Sequence, residues 1–579
     1  MKGSRFLFPA LFKALVLPPL VVYVLLHILP RLAFPTPTCL SLVPPLLFPL
    51  GPGLLGRVLR ISAYLISFPA VFILRSTISA RTSSWAAKKL GAHIIPRVER
   101  RWVLNVDILQ DWARSGSDDE VGRMMIITSD PRVMKHVLVD DFDNFVKGEK
   151  FRERAWDFLG DGIFNSDGER WKFHRTFLRP FFHPTHITAS NFIIPISRFL
   201  AALPPRGQAF DIQQSVGDLA LRIAWEWIGG EDLATDELAR LGEALREAQK
   251  VVGRRVKIGT VWPLFELGKD PLEEPMTALR RFLVPRISRA CLARDKRRES
   301  GESPEFASED LHLLDRLLEA SEGGDAKLVE DQLINVLLAS RDTTNSLLTF
   351  AVYCLALHPD VAERVREEVL DVAGPEGSIT KETIRDCKFS RCFINEVLRL
   401  FPPVPLNIRR TLRPSLLPGP DGPLYMPGNT SIILATILMQ RDSAVWGDDA
   451  QVFDPDRWAD MGKEREGFMS WNYGPRMCLG QPLALTVAHT FLILLYRHLA
   501  QPSNNTHNDT ADPDTDVTAP RPGPLRVHLA PDAQPEGTRM PDAWRTDRGD
   551  GRARGGRDRV WVVADVVLAI KGGLWVRLE

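Results

Sequence analysis

The chain has 579 residues and a formal net charge of +1, with 45% hydrophobic and 25% charged residues. It is long for one domain, and its composition is that of a globular protein whose charge gives no reason to expect a nucleic-acid partner. Its six cysteines form no C-x-x-C pair. That pattern disfavours a zinc site or a disulfide framework and favours a reducing compartment.

The N-terminal region has the composition of a membrane-associated segment, because residues 1 to about 75 are apolar with sparse basic residues. Three runs, 14–29, 32–56 and 61–74, carry no formal charge, but prolines or short length make each a marginal spanning helix. A cleaved signal peptide and a buried core helix are the alternatives, although no convincing cleavage site follows the first run. We predict that residues 1–91 form a retained anchor with one to three hydrophobic segments.

The first helix signal after this region starts at Asp167, where turn and capping residues predict a helix N-terminus. Trp171 and Arg175 lie four residues apart, so they share one face of that helix. An indole N–H beside a guanidinium suits an anionic ligand, although an ordinary surface helix gives the same pattern.

Residues 328–357 predict a long helix that is apolar around almost its whole circumference and is therefore buried. The segment Ala339-Ser340-Arg341-Asp342-Thr343-Thr344 puts polar groups at its middle, where burial is costly unless they are paired or used. Threonine hydroxyls can bond back to helix carbonyls and bend the helix. We therefore predict a local widening here, with a paired polar layer as the alternative.

A further helix is predicted over residues 393–400, with Glu396 and Arg399 on one face. The prolines of Phe401-Pro402-Pro403-Val404-Pro405 end it, and a small sheet containing Arg409 is expected to follow. By itself, such a Glu and Arg pair is more often a surface pair.

A single cysteine lies between two glycines in the stretch Trp471–Gly480 (WNYGPRMCLG), just before another predicted helix. Gly474 and Gly480 let the backbone turn tightly and approach a flat ligand, and Arg476 can bind an anionic group in a fork geometry. The helix dipole and backbone N–H groups stabilise a thiolate at Cys478. The stretch predicts a cradle for a haem iron with an axial thiolate, against the alternative of a buried structural thiol.

The C-terminal tail changes composition, because residues 502 to about 558 are rich in Asp, Thr, Pro, Gly and Arg. This predicts a flexible insertion. Its arginines and glycines resemble RNA-binding tracts, but a solvated loop is the simpler interpretation. Residues 565–579 predict two strands joined at Lys571-Gly572-Gly573 as a hairpin.

These motifs together resemble those of the cytochrome P450 superfamily. The cysteine loop is similar to F-x-x-G-x-R-x-C-x-G, with Trp471 in place of phenylalanine. The central helix is similar to [AG]-G-x-[DE]-T-[TS], with Ser340 in place of glycine, and the other two motifs are similar to W-x-x-x-R and E-x-x-R. The resemblance implies a mainly α P450 fold in residues 92–579, a large helical domain with a small β-rich subdomain, preceded by the membrane anchor.

The resemblance also implies roles for particular residues. The haem b would be bound, with Cys478 as the axial ligand, by Cys478, Arg476, Gly474, Gly480, Trp471, Trp171, Arg175 and Arg409. Thr343 and Asp342 would deliver protons. A buried structural triad would consist of Glu396, Arg399 and Arg457.

The implied reaction inserts one atom of dioxygen into an apolar substrate, with electrons from NADPH through a separate cytochrome P450 reductase. The stretches 165–168, 404–407 and 472–476 are most similar to fungal membrane-bound hydroxylases of alkanes and fatty acids. That similarity implies contact with membrane lipid and an anchor in the endoplasmic reticulum, with the catalytic domain facing the cytosol. The alternatives are a haem-thiolate enzyme that uses or rearranges peroxides without a reductase, disfavoured by Asp342-Thr343, and a non-catalytic haem-binding membrane protein.

Overall fold

The computed structural model describes residues 82–94, 117–120, 123–266, 269–300, 312–321, 325–459, 467–500, 526–539, 559–564 and 566–579. The predicted membrane segments within residues 1–75 lie outside the described residues, as do 502–525 and 540–558 of the predicted insertion. The described chain begins with a helical stretch at 82–89, in which Ala87 is buried.

Helices make up most of the described chain, as predicted. In chain order they are α1 Pro131–Lys135, α2 Glu149–Leu159, α3 Gly168–Leu178, α4 Ser190–Ala201, α5 Ile212–Gly229, α6 Thr235–Ile258, α7 Glu273–Glu299, α8 Leu313–Ala320, α9 Ala326–Leu357, α10 Pro359–Ala373, α11 Lys381–Asp386, α12 Lys388–Leu400, α13 Thr436–Met439, α14 Ser443–Trp446 and α15 Gln481–Ala500. A π-helical turn, His136–Asp140, continues α1.

The strands are short and form small sheets. They are β1 His93–Ile94, β2 Ser117–Glu120, β3 Arg123–Thr128, β4 Phe145–Val146, β5 Phe210–Asp211, β6 Asn407–Thr411, β7 Ser415–Leu417, β8 Leu424–Met426, β9 Ser431–Leu434, β10 Val527–Leu529, β11 Val562–Ala564, β12 Leu568–Ile570 and β13 Trp575–Leu578. The largest sheet has the order β2-β3-β9-β6-β4, and three smaller ones are β1-β8-β7, β10-β13-β5 and β11-β12.

The long helix α9 lies at the centre of the molecule. Asp325 caps its start by accepting hydrogen bonds from the backbone of Lys327 and Leu328, and Pro359 follows its end. Its N-terminal half packs in an apolar cluster with α2 and α5–α8, and its C-terminal half packs in a second cluster with α4, α12 and α15. The prediction of a long buried helix is confirmed, and burial of both halves fixes the position of the polar segment between them.

Helix α15 is the one helix among the described residues that is long and apolar enough to cross a bilayer. An apolar stretch of 18 residues within α15 is 67% buried, and Val487, Phe491 and Leu495 lie in the main core. The same length and composition are expected of a core helix, and the packing of α15 is that of a core helix.

The predicted C-terminal hairpin is wrong, although both of its strands form. β12 pairs with β11, whereas β13 pairs with β10 and β5. Gly573 has a φ of +89°, and a Cβ there would collide with the Asp211 carboxylate. That carboxylate also accepts a hydrogen bond from the backbone N–H of Leu574 (3.0 Å). These contacts direct the chain away from β12 and onto β5.

Part of the predicted insertion is folded, contrary to the prediction. Residues 526–539 contain β10, which pairs antiparallel with β13 from Val527 opposite Leu578 to Leu529 opposite Val576. The backbone of Arg526 also exchanges hydrogen bonds with that of Glu579. A strand of three residues carries too little pattern to stand out in a polar stretch.

Candidate active site

The cysteine loop is a tight turn that leads directly into α15. The backbone N–H of Cys478 donates to the Trp471 carbonyl (2.9 Å), which closes the loop. Asn472 and Gly474 both have positive φ angles, +64° and +68°. A Cβ on Gly474 would collide with the carbonyl of Leu138, so the glycine lets the loop pack against the π-helical turn.

The thiol of Cys478 is open to approach, since the residue is exposed. Its pKa is nevertheless raised, because burial among protein atoms outweighs the N–H groups of Gly480 and Gln481 and the charge of Arg175, which lower it. An exposed thiol that is also desolvated lies at the wall of an internal space. Among the described residues no three His, Cys, Asp or Glu side chains come close enough to hold a metal ion, so Cys478 would be a lone protein ligand.

Beside this loop, three cations surround one carboxylate. Arg476 donates to the Asp167 carboxylate (2.8 Å) and lies over the Trp171 ring, 4.5 Å from its centroid. The fully buried Arg409 and the half-buried Lys147 both donate to Oδ1 of Asn407, at 2.6 and 3.3 Å. We call Lys147, Arg409, Arg476 and Asp167 the cation cluster.

The cation cluster carries two more positive charges than negative ones. Burial lowers the pKa of Arg409 to about 9 and that of Arg476 to about 10. Burial and the charges of Arg409 and Arg476 also hold the pKa of Lys147 well below its usual value. The Nε atoms of Arg409 and Arg476 are buried without a hydrogen-bond partner among the described residues. Buried charges require partners, so the cluster favours a ligand with two anionic groups.

Helix α3 supplies the contacts that join this cluster to the loop. Asp167 occupies its N-cap position, as predicted, but its carboxylate accepts the backbone N–H groups of Lys147 and Gly148 (2.9 and 2.8 Å) and so is directed into the cluster. Trp171 is buried, and Arg175 donates to the Met477 carbonyl (2.9 Å). Trp171 and Arg175 therefore lie within reach of the cysteine loop.

The centre of α9 is less buried than the rest of the helix. Residues 329–337 and 346–355 are buried throughout, whereas 338–340, 342 and 343 are partly exposed, which indicates space beside them. The Thr343 hydroxyl donates to the Ala339 carbonyl (2.6 Å), and Arg341 donates to Oδ1 of Asp342 (2.8 Å). The helix is continuous through this segment, so the predicted widening is not a break in the helix.

The comparisons with known proteins decide which family has this architecture. The cytochrome P450 family model matches residues 121–524. The chain belongs to the cytochrome P450 family. Cytochrome P450 52-E3 of Starmerella bombicola is 29% identical over 466 residues, covering 72% of this chain and 87% of the relative. Cytochrome P450 52E1 of Candida apicola is 30% identical over 428 residues, covering 69% and 80%.

P450 enzymes are oxidoreductases of the monooxygenase class that hold a haem through an axial cysteine thiolate. The residues present fit that group. Cys478 is an exposed residue with one thiol, and the two uncompensated charges of the cation cluster match the two propionates of a haem. The residues that would hold the haem in this P450 are therefore Cys478, Arg476, Arg409, Trp171 and Arg175, together with Lys147.

Glu396, Arg399 and Arg457 are brought together in the P450 core. Arg399 makes a bidentate pair with Glu396 (2.7 and 2.8 Å), and Arg457 donates to the same carboxylate at 3.0 Å. The indole of Trp458 and the backbone N–H of Asp454 complete its hydrogen bonds, both at 2.9 Å. With so many donors, the fully buried carboxylate is satisfied.

A buried glutamine joins this triad to the cysteine loop. Arg399 donates to the Gln440 carbonyl (2.8 Å), and the Gln440 amide N–H₂ donates back to the carbonyl of Arg399 (2.8 Å). The other end of the Gln440 side chain accepts the backbone N–H of Met469 (2.8 Å). Gln440 and Lys147 were missed from the sequence, since a lone glutamine and a lysine before a glycine carry no motif.

Replacement of Lys147 by methionine should weaken haem binding without lowering the stability of the apoprotein. The change removes a cation that repels Arg409 and Arg476, but it also removes one charge-assisted contact worth about 1.5–3 kcal/mol, or roughly tenfold to a hundredfold in affinity. Haem transfer to apomyoglobin would measure the affinity and thermal unfolding the stability. Lys172→Met, an exposed lysine on α3, is the control; equal haem affinity in the two variants would contradict this role.

Proposed function

We propose that this P450 hydroxylates a long apolar chain, of the alkane or fatty-acid type, with electrons from NADPH delivered by a separate reductase. We also propose that residues 1–91 anchor it in the endoplasmic reticulum membrane, with the catalytic domain on the cytosolic side. Support comes from the apolar N-terminal sequence, from three short stretches that resemble fungal membrane-bound hydroxylases, and from the similarity to relatives of the P450 52 group.

The observation that carries the proposal is the exposed but desolvated thiol of Cys478 next to a cluster of three cations that share one carboxylate. A cysteine with only a structural role would be enclosed by packing. An ion cluster with only a structural role would carry equal numbers of positive and negative charges. When bound, the haem supplies the iron at which dioxygen is activated and the substrate oxidised.

The protein's part begins with fixing the thiolate. The N–H groups of Gly480 and Gln481 and the charge of Arg175 favour the ionised form of Cys478. Arg175 also fixes the loop by its hydrogen bond to the Met477 carbonyl. Arg476, Arg409 and Lys147 would neutralise the propionates and set the orientation of the ring.

Proton delivery is assigned to the centre of α9. Because the Thr343 proton is donated to the Ala339 carbonyl, the lone pairs of its oxygen remain free to accept a hydrogen bond from a proton-carrying water. Burial raises the pKa of Asp342, and its Oδ2 is buried without a partner in the described chain. Within the described residues the Asp342 carboxylate is bonded to Arg341 rather than to Thr343, so a water would have to link the acid to the alcohol.

Thr343→Ala should uncouple electron use from product formation. Loss of the hydroxyl removes the acceptor that holds the proton-carrying water, and a general acid–base contribution is typically worth about 10²–10⁴-fold. The ratio of hydroxylated product to NADPH consumed is the measurement, and we expect it to fall by at least about tenfold. Thr349→Ala, further along the same helix, is the control. Coupling equal to that of the control would remove Thr343 from the proton path.

The proposed function is tested by reconstituting the full-length protein with reductase and NADPH and screening alkanes, fatty acids, terpenoids and aromatics for spectral binding and product. A hydroxylated alkane or fatty acid that forms only with NADPH, reductase and dioxygen is expected. Turnover supported by peroxide alone would favour the reductase-independent alternative. Binding of none of the long-chain compounds would refute the substrate class.

A further inference from the structure

The buried face of α3 carries a histidine next to the residues that reach the cysteine loop. His174 is 1% exposed, and it lies three residues after Trp171 and directly before Arg175. The side-chain amide nitrogen of Gln332, a fully buried residue in the N-terminal half of α9, lies 2.7 Å from Nδ1 of the ring. Buried polar groups are costly unless they are paired, so this hydrogen bond stabilises the packing of α3 on α9.

The surroundings of His174 require a neutral ring. An amide N–H₂ group can only donate, so Nδ1 is the acceptor and Nε2 carries the hydrogen. A charged ring has a donor at both nitrogens and would lose its bond to Gln332. Nε2 lies 3.9 Å from the Asp161 carboxylate, but Arg152 and Arg170 already donate to that carboxylate. Burial lowers the pKa of His174 and the two arginines lower it further, whereas the charge of Asp161 raises it.

The segment between α2 and α3, residues 160–167, is bound to the same part of α9. The backbone N–H of Asp161 donates to the Asp331 carboxylate (3.0 Å), and that of Phe164 donates to the side-chain oxygen of Asn335 (3.2 Å). These two acceptors lie one residue before and three residues after the glutamine that holds the histidine. One stretch of α9 therefore fixes both α3 and the segment that leads into it.

The same two elements hold the residues around the thiol. The carbonyl of Ser166, near the end of the segment, accepts a hydrogen bond from Arg476 of the cation cluster (2.9 Å). On α3, Arg175 donates to the Met477 carbonyl (2.9 Å), and its charge lowers the pKa of Cys478. A shift of α3 relative to α9 would therefore move a positive charge relative to the thiolate.

We propose that His174, as a neutral ring bound to Gln332, is a positioning residue for the haem thiolate. It sets where α3 lies on α9, and so how closely the guanidinium of Arg175 approaches the sulfur of Cys478. The role requires a hydrogen-bond acceptor at the place of Nδ1, and an apolar side chain of similar size would not supply it. The inference rests on the haem site described above and is independent of the proposed substrate class and reductase.

His174→Leu in the full-length holoprotein is the first test. It fills a similar volume but leaves the Gln332 amide without its acceptor, so we expect haem transfer to apomyoglobin to become about tenfold faster. A cation near the thiolate favours the reduced iron, and the haem reduction potential should therefore become more negative. Arg175→Gln removes the charge itself and should shift the potential in the same direction.

His174→Asn tests the requirement for an acceptor. The side-chain oxygen of asparagine can take the place of Nδ1 and accept the Gln332 N–H. We expect the haem-transfer rate and the potential of this variant to equal those of the unchanged protein. His183→Leu, which removes an exposed histidine just after α3, is the matched control.

A double variant keeps the test valid if His174→Leu does not fold. His174→Leu with Gln332→Leu removes both polar groups, which is less costly than leaving one of them buried alone, and the shift in potential should remain. The proposal is overturned if the leucine variants keep the potential and haem-transfer rate of the control, or if His174→Asn is as impaired as His174→Leu. None of these measurements needs substrate or reductase, so failure of the proposed function would not affect them.

Discussion

Glu396→Ala should destabilise the protein severely, by about 3–5 kcal/mol. The change leaves the guanidinium of Arg399 buried and unpaired, and it removes the acceptor for Arg457, Trp458 and the backbone of Asp454. Because Arg399 is bound to Gln440, and Gln440 to the backbone before the cysteine loop, haem content should fall as well.

Thermal or urea unfolding of the holoprotein and the haem-to-protein absorbance ratio measure these two effects. Glu382→Gln is the control, an exposed carboxylate on α11 whose loss should change stability by less than about 0.5 kcal/mol. If the Glu396→Ala protein unfolded at the same temperature or urea concentration as the control and kept its haem, the triad would not be a structural element.

Cys478→Ala should abolish monooxygenase turnover and remove the thiolate signature from the spectrum of the reduced, carbon-monoxide-bound protein. The substitution removes one sulfur atom from an exposed position, so the fold should survive. The cation cluster would still bind the propionates, and some haem should remain bound. The measurement is the carbon-monoxide difference spectrum at matched haem content.

Cys392→Ala is the matched control for this variant, because it removes a partly buried thiol of α12 that the site does not use. Its spectrum and turnover should equal those of the unchanged protein. A Cys478→Ala protein that keeps the thiolate signature would contradict the assignment of Cys478 as the iron ligand.

Much of the helical framework could be predicted from local sequence. The apolar run of α9 predicted the approximate bounds of that helix, and the prolines after α12 predicted where α12 ends. Both signals act over only a few positions in the chain. The observed helix starts at Ala326, two residues before the predicted 328, since Asp325 caps it there. Asp167 could be placed at a helix start for the same reason, but not its contacts with Lys147 and Arg476, which depend on the tertiary fold.

The parts that could not be predicted depend on residues far apart in the chain. Lys147 meets Asn407 across 260 positions, and Gln440 links segments that carry no motif. The two glycines after Lys571 suggested a hairpin, yet Asp211 and β5 capture the following strand. Packing of the core decides which strands pair when they are far apart in the sequence. Local turn signals therefore predicted where the strands lie but not which strands they pair with.

The central claim is that the sulfur of Cys478 binds the haem iron, and X-ray absorption at the iron edge of the ferric holoprotein tests it most directly. We predict one sulfur neighbour in the first coordination shell of the unchanged protein and of Cys392→Ala, and none in Cys478→Ala. A shell of nitrogen and oxygen alone in the unchanged protein, or a sulfur neighbour that persists in Cys478→Ala, would contradict it.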